Sequence, residues 1–293
     1  MIERDVPLAR LPTLGTGGPA AAFARPETLD ELEQALRWAA DEQLTVHAIG
    51  LGSNLLVADD GVDALVLKLA GELAAVEVED DLLVAGGGAA NAVCLHRARD
   101  ANLGGFEFAS AIPGTVGGGV WMNARAYGGD FAGVLLDAVV VDEHGARTLT
   151  PEQLGLSNRH SDLVPGEVVA RARLRLHPRP GAEVRAEVKE LSERRKATQP
   201  TNKRTFGSVF KNPDHELGAG RMLEACGLKG HRIGGAVISP RHANFIENAG
   251  DATTADALAL MDEARRRAFE QYGVRLEHEV QLLGSIALPP LPE

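Results

Sequence analysis

Aromatic residues make up only 4% of this 293-residue chain, and it has just two cysteines, Cys94 and Cys226. Two such cysteines build no disulfide framework, and neither shows the paired spacing of a zinc site. Both are expected to be small buried hydrophobes. The nine histidines include no His-Glu-x-x-His or comparable pattern, so no metal is expected. No run approaches the roughly 20 apolar residues of a membrane span. The opening Met1–Pro12 scatters Glu3, Arg4, Asp5 and Arg10 through its apolar positions, unlike the apolar core of a signal peptide. A cytoplasmic protein without a membrane partner is the expectation. Positive charge is also short: 30 Lys and Arg against 41 Asp and Glu give −11, which argues against nucleic-acid binding. Nothing implies an obligate protein partner.

What is present suits a folded chain of two or three domains, 44% hydrophobic and rich in Ala, Val and Leu. Its charge is unevenly spread. Between Arg194 and His242 stand ten Lys and Arg against three acids, a balance of +7 that leaves −18 for the rest. A local positive region in an acidic protein suits small anions such as nucleotide phosphates, although without the motifs below a solvated surface of scattered charges is the plainer reading.

Glu27–Leu44 reads as an amphipathic helix with Thr28 as N-cap and Leu29, Leu32, Ala35, Leu36 and Ala39 on one face. Thr45–Ile49, Leu65–Leu69, Ala75–Glu79 and Leu82–Ala85 read as strands, and Ala90–Ala101 as a helix. Val168–Leu176 alternates Ala170, Ala172, Leu174 and Leu176 against Arg171, Arg173 and Arg175, the mark of a half-buried antiparallel strand. Val184–Thr198 is a charged helix ending before Gln199-Pro200, a natural domain boundary. Beyond it come a helix at Gly220–Cys226, extended segments at Ala236–Ile238 and Asn244–Ile246, a helix at Thr254–Tyr272 opened by Thr253-x-x-Asp256, a strand over Val274–Leu283 and a frayed tail from Leu288.

Three loops carry the chemical signal. Gly50-Leu51-Gly52-Ser53-Asn54-Leu55 and Ser110-Ala111-Ile112-Pro113-Gly114-Thr115-Val116-Gly117-Gly118 let backbone amides close on a pyrophosphate. The first follows a strand but leads into the extended Leu55–Ala58, which excludes a Rossmann site, where the loop opens a helix. The third, Gly207-Ser208-Val209-Phe210-Lys211-Asn212-Pro213, sets a hydroxyl beside a flexible glycine and follows it with a cation and an amide. Alone, it suits a serine turn in any loop.

Together with Gly220–Gly230, Gly234–Ser239 and His242–Ile246, these loops resemble the UDP-N-acetylenolpyruvoylglucosamine reductase family from Leu14 to Val280. The short spacing from Arg159 to Ser208 is similar to its compact subgroup, which lacks an extra substrate-covering loop. The resemblance implies an α+β protein: a two-lobed FAD-binding region of the PCMH/vanillyl-alcohol-oxidase type over 1–190, its lobes about 1–70 and 71–190, a substrate-binding domain over 191–280, and a tail, 281–293, returning to the first lobe. It implies FAD as cofactor, NADPH as co-substrate and a UDP-sugar enolpyruvyl ether as substrate. FAD would be held by Gly50, Leu51, Gly52, Ser53, Asn54, Leu55, Ile112, Pro113, Gly114, Thr115, Gly117, Gly118, Asn123 and Ala124. Ser208 matches the proton donor, Arg159 and Glu279 match the groups stabilising an enolate-like intermediate, and Lys211, Asn212 and His242 match substrate contacts. Strand alternation puts Glu277 and Glu279 on one face and does not rank them; the family's Glu-Val pair selects Glu279.

Two residues depart from the family pattern. Arg125 stands where glycine is usual, and would be strained if its φ were positive. Asn158 replaces a tyrosine just before Arg159, where a surface arginine is the plain alternative. An oxidase or dehydrogenase on the same flavin scaffold, and a non-catalytic flavin or nucleotide-sugar binder, are the competing readings.

Overall fold

The computed structural model describes residues 2–291, and the chain packs as two units. The first comprises Met1–Asp5, Ala21–Leu51 and Asp63–Arg195; the second comprises Val6–Ala20, Gly52–Val62 and Lys196–Glu293.

In the first unit, helix α1 (Leu29–Asp41) starts where Thr28 Oγ1 accepts the Glu31 N–H at 3.2 Å, and it buries Leu32, Ala35, Leu36 and Ala39 as their spacing predicts. It packs on a four-stranded sheet in which Thr45–Ala48 runs parallel to Val62–Leu67. A second, antiparallel sheet has the strand order Gly145–Leu149, Leu135–Asp142, Val168–Arg175, Leu82–Gly86, Val76–Glu79. Val168–Arg175 is central there, with its alanines and Leu174 buried and its arginines outward. Helices α2 (Asn91–Asp100), α3 (Val116–Trp121) and α4 (Gly181–Thr198) complete the unit, α4 running three residues beyond Arg195.

Three of the eight phenylalanines meet in this core. Phe106, Phe108 and Phe131 meet edge-to-face at centroid distances of 5.4, 5.6 and 6.0 Å. Helix α3 lies so close to this cluster that a Cβ at Gly119 would sit 2.2 Å from Phe131 Cζ. Cys94 is buried as expected, and burial pushes its thiol up to about 12. Cys226 is only half-buried, because it follows a short helix at the edge of its core.

In the second unit, Thr205–Ser208, Phe245–Asn248, Ala236–Ile238 and Arg232–Ile233 form an antiparallel sheet in that order, covered by α5 (Ala219–Ala225) and α6 (Thr254–Tyr272). The capping box of Thr253 and Asp256 is present at the start of α6, and Asp59 accepts the N–H groups of Thr254 and Ala255, both at 2.9 Å.

Several expectations differ from the structure here. Residues 52–62, expected in the first lobe, belong to the second unit, where Gln281–Leu283 of the tail pairs in parallel with Leu55–Val57, in register Gln281↔Leu55. Of the strand expected over Val274–Leu283, only Gln281–Leu283 forms. The preceding backbone bonds to a loop instead of a ladder: the Lys211 N–H donates to Glu277 O and the Glu279 N–H to Val209 O, each at 2.9 Å. Leu288, expected in a frayed tail, packs against the core; residues 292–293 lie outside the described set.

Candidate active site

The second unit brings together motifs about 150 residues apart in sequence. Gly207 has φ +84° and sits in a register shift between Thr205 and Ser208, the geometry of a glycine-dependent bulge that re-aims the next side chain. A Cβ there would lie 3.2 Å from Ser53 O, so the Gly52-Ser53-Asn54 loop abuts the Ser208 strand. Thr13 ties the same two segments: its N–H donates to Gly52 O at 2.9 Å and its hydroxyl to Thr205 O at 2.6 Å. Asn54 Nδ2 donates to Glu279 O at 2.9 Å, and the Gln281 N–H returns to Asn54 O at 3.0 Å. With its own N–H on Val209 O, Glu279 is held by the residue next to Ser208.

Ser208 and Glu279 are both half-buried, whereas Glu277 is exposed and paired with Lys211 Nζ at 3.3 Å. The structure therefore separates the two glutamates that alternation left level.

Asn244 went unassigned in the sequence reading. It is buried and clamps Phe210 from both sides, accepting its N–H on Oδ1 at 3.0 Å and donating Nδ2 to its carbonyl at 2.8 Å. The Val209 N–H adds a bond to the Asn244 carbonyl at 2.9 Å. An amide whose donor and acceptor both hold one backbone residue is a stiff support for the hydroxyl two residues earlier. Its place in the His242–Ile246 motif was the available signal.

Asn212 Oδ1 accepts the Ala219 N–H at 3.0 Å, which commits that oxygen to the start of α5. His242 packs edge-on to Phe245 at 5.0 Å and faces Gly220, where a Cβ would lie 2.5 Å from the ring. Burial first, then Lys229, holds its pKa below the ordinary histidine value, so the ring is neutral near pH 7.

In the first unit the two glycine loops touch. A Cβ on Gly50 would lie 2.5 Å from Thr115 Oγ1. The second loop is laced to the glycine-rich segment at 86–91: the Val116 N–H bonds Ala89 O at 2.9 Å, the Gly117 N–H bonds Gly87 O at 2.8 Å, and the Asn91 N–H bonds Gly114 O at 3.0 Å. The Gly117 amide is thus committed within the protein and is not aimed at an anion, and the Gly118 N–H points to Thr115 Oγ1 at 3.5 Å. Among the described residues, the Gly114 and Thr115 amides take no intramolecular partner, and the buried Ser110 Oγ and Asn91 Oδ1 atoms at the same loop are also unsatisfied. Orphan polar atoms beside a cradle too tight for side chains fit a polar cofactor such as FAD.

Asn123, Ala124, Arg125 and Asn158 lie in this unit with Arg159. Arg125 is not strained: it pairs with Asp130 in a short antiparallel ribbon at negative φ. The two departures from the family pattern touch, Arg125 Nη1 donating to Asn158 Oδ1 at 3.2 Å. Arg159 itself is half-buried at φ +59°.

Known proteins resemble this chain. Residues 20–148 match the family model described as an FAD binding domain, which bears out the expected flavin-binding class, and residues 199–283 match the UDP-N-acetylenolpyruvoylglucosamine reductase C-terminal domain. UDP-N-acetylenolpyruvoylglucosamine reductase 2 of Symbiobacterium thermophilum is 43% identical over 97% of this chain and 92% of its own length. The Sphingopyxis alaskensis reductase is likewise 43% identical, over 96% and 94%. The solved UDP-N-acetylenolpyruvylglucosamine reductase of Thermus caldophilus superposes with a TM-score of 0.84 at 37% identity, covering 97% of this chain and 99% of that one. Two domain matches and relatives aligned nearly end to end place the chain in the UDP-N-acetylenolpyruvoylglucosamine reductase family.

Proposed function

We propose that this protein uses NADPH and FAD to reduce UDP-N-acetylglucosamine enolpyruvate to UDP-N-acetylmuramate, a precursor of peptidoglycan, in the cytoplasm and without an obligate protein partner. The observation that carries this reading is the convergence of Ser208, Glu279 and the Gly52–Asn54 loop in the second unit, on backbone bonds that fix each of them.

Bound FAD supplies the hydride relay from NADPH to the terminal carbon of the enolpyruvyl group. Hydride addition there leaves negative charge on the carbon bearing the carboxylate and on the carboxylate itself. Ser208 donates its hydroxyl proton to that carbon, completing the lactyl ether and leaving an alkoxide to be reprotonated by solvent. A serine is a weak acid, so the step depends on desolvation and on nearby cations and hydrogen-bonding groups; Arg159 and Glu279 take that role. Lys211 faces the substrate's negative charge, while the Asn212 NH2 and His242 contact the UDP-sugar.

Flavin binding is assigned to the region through residue 190 and substrate binding to 191–280. The cofactor set is Gly50–Leu55, Ile112–Thr115, Gly117, Gly118, Asn123 and Ala124. Gly117 contributes there as a spacer, since its amide is already bonded.

The test is NADPH consumption by the FAD-loaded protein, with and without UDP-N-acetylglucosamine enolpyruvate. Substrate-dependent consumption is expected, and consumption indifferent to the substrate would overturn the reading. Ser208→Ala is expected to leave flavin reduction by NADPH near its original rate while slowing reoxidation by the enolpyruvyl substrate by about 10²–10⁴-fold. Equal losses in both half-reactions would remove Ser208 from the proton-donor role.

A further inference from the structure

Arg159 occupies a tight turn. Ser157 and His160 exchange backbone hydrogen bonds at 3.0 and 3.3 Å, leaving Asn158 and Arg159 at the tip. A non-glycine residue at φ +59° is in an unfavourable left-handed conformation and must be held by its surroundings.

Two of the holding bonds come from one place. Ser161, only 8% exposed, donates its hydroxyl to Trp121 O at 2.7 Å. Asn123, 3% exposed, donates Nδ2 to Ser157 O at 2.8 Å, while its Oδ1 accepts the Ala132 N–H at 2.9 Å. Both flanks of the turn are therefore tied to residues 121–123, the end of α3. Trp121 is the last residue of that helix, and the hydroxyl satisfies a carbonyl that helix ends leave without an intrahelical partner. The other end of α3 is the Thr115 cap and the Gly117 bond to Gly87, at the proposed flavin loop. The Arg125–Asn158 bond adds a weaker, exposed tie at the tip.

We infer that Ser161, supported by Asn123, is a positioning residue for the reaction: it fastens the Arg159 turn to the helix opened by the Ile112–Gly118 loop, so that one rigid element sets both the flavin loop and the charge-stabilising arginine. This rests on the role proposed above for Arg159. Asn123 thereby acts through Ser157 in addition to any part it takes at the cofactor.

The experiment is a double-mutant cycle of Ser161→Ala and Arg159→Ala on the FAD-loaded protein, reading reoxidation by UDP-N-acetylglucosamine enolpyruvate. Ser161→Ala is expected to slow reoxidation about tenfold, to leave FAD affinity by fluorescence titration within about twofold, and to speed amide exchange at Ser157 and His160. In the Arg159→Ala background the same change is expected to add under about twofold, and Ser161→Thr, which restores the hydroxyl, to recover the rate. Losses that multiply independently of Arg159, or unchanged amide exchange in the turn, would overturn the positioning role. An Arg159→Ala variant with normal reoxidation would instead overturn the role of Arg159, and this inference with it.

Discussion

At Gly117 a Cβ would lie 2.9 Å from the Gly87 carbonyl oxygen, a backbone atom with no room to retreat because Gly87 is itself pressed against Val169 O. At Gly207 the nearest atom to a Cβ would be Ser53 O at 3.2 Å, and φ is +84°. The first glycine is required by close approach of two chains, the second by a backbone conformation. The two loops look alike on paper, as glycine within two residues of a hydroxyl, yet they solve different problems. One thins the wall of a cradle; the other turns a strand so that its last residue, Ser208, leaves the ladder's regular alternation.

That contrast sets an order of effects. Gly117→Ala is expected to destabilise the first unit by about 2–3 kcal/mol and to weaken FAD binding, seen as a lower thermal midpoint and a weaker flavin titration; a variant of unchanged stability would show that the Gly87 strand can move. Gly207→Ala is expected to cost about 1 kcal/mol through its positive φ. Its larger consequence falls on the reoxidation half-reaction, because Ser208 is re-aimed. If Gly117→Ala and Gly207→Ala shifted stability equally, the distinction between crowding and conformation would fail.

The smallest effect concerns His242. Its folded-state pKa lies below the unfolded value, so the unfolded chain binds the extra proton first. The neutral ring's contribution is complete above about pH 6.5 and is lost as pH falls through the lower, folded value. His242→Gln is expected to flatten the thermal midpoint between about pH 7.5 and 5.5 relative to the unsubstituted protein; parallel pH profiles would assign the dependence elsewhere.

Local chemistry decided much of the fold. The faces of α1 and α6, the Thr253/Asp256 cap and the alternation of Val168–Arg175 follow from side-chain periods and capping atoms a few residues apart. The same logic failed at Val274–Val280, where apolar alternation suggested a strand but the hydrogen-bond partners belong to the 209–211 loop. It also failed to see α3: Gly117, Gly118 and Gly119 weaken any helical reading, and the helix exists because Thr115 caps it and Phe131 leaves room only for glycine.

The candidate site divides along the same line. The sequence alone determined which residue types could serve: glycine loops for a pyrophosphate, a hydroxyl with a cation nearby, an arginine, and two glutamates that strand alternation leaves level and the family's Glu-Val pair ranks. Only the tertiary structure decided that Asn54, Val209 and Glu279 share bonds, that Glu277 is spent on Lys211, that Asn244 grips Phe210, and that Ser161 and Asn123 fasten the Arg159 turn. The reason is range. Periodicity and capping report on neighbours within a turn or two, whereas these bonds join residues from 34 to 225 positions apart, where only the packed chain determines which donor meets which acceptor.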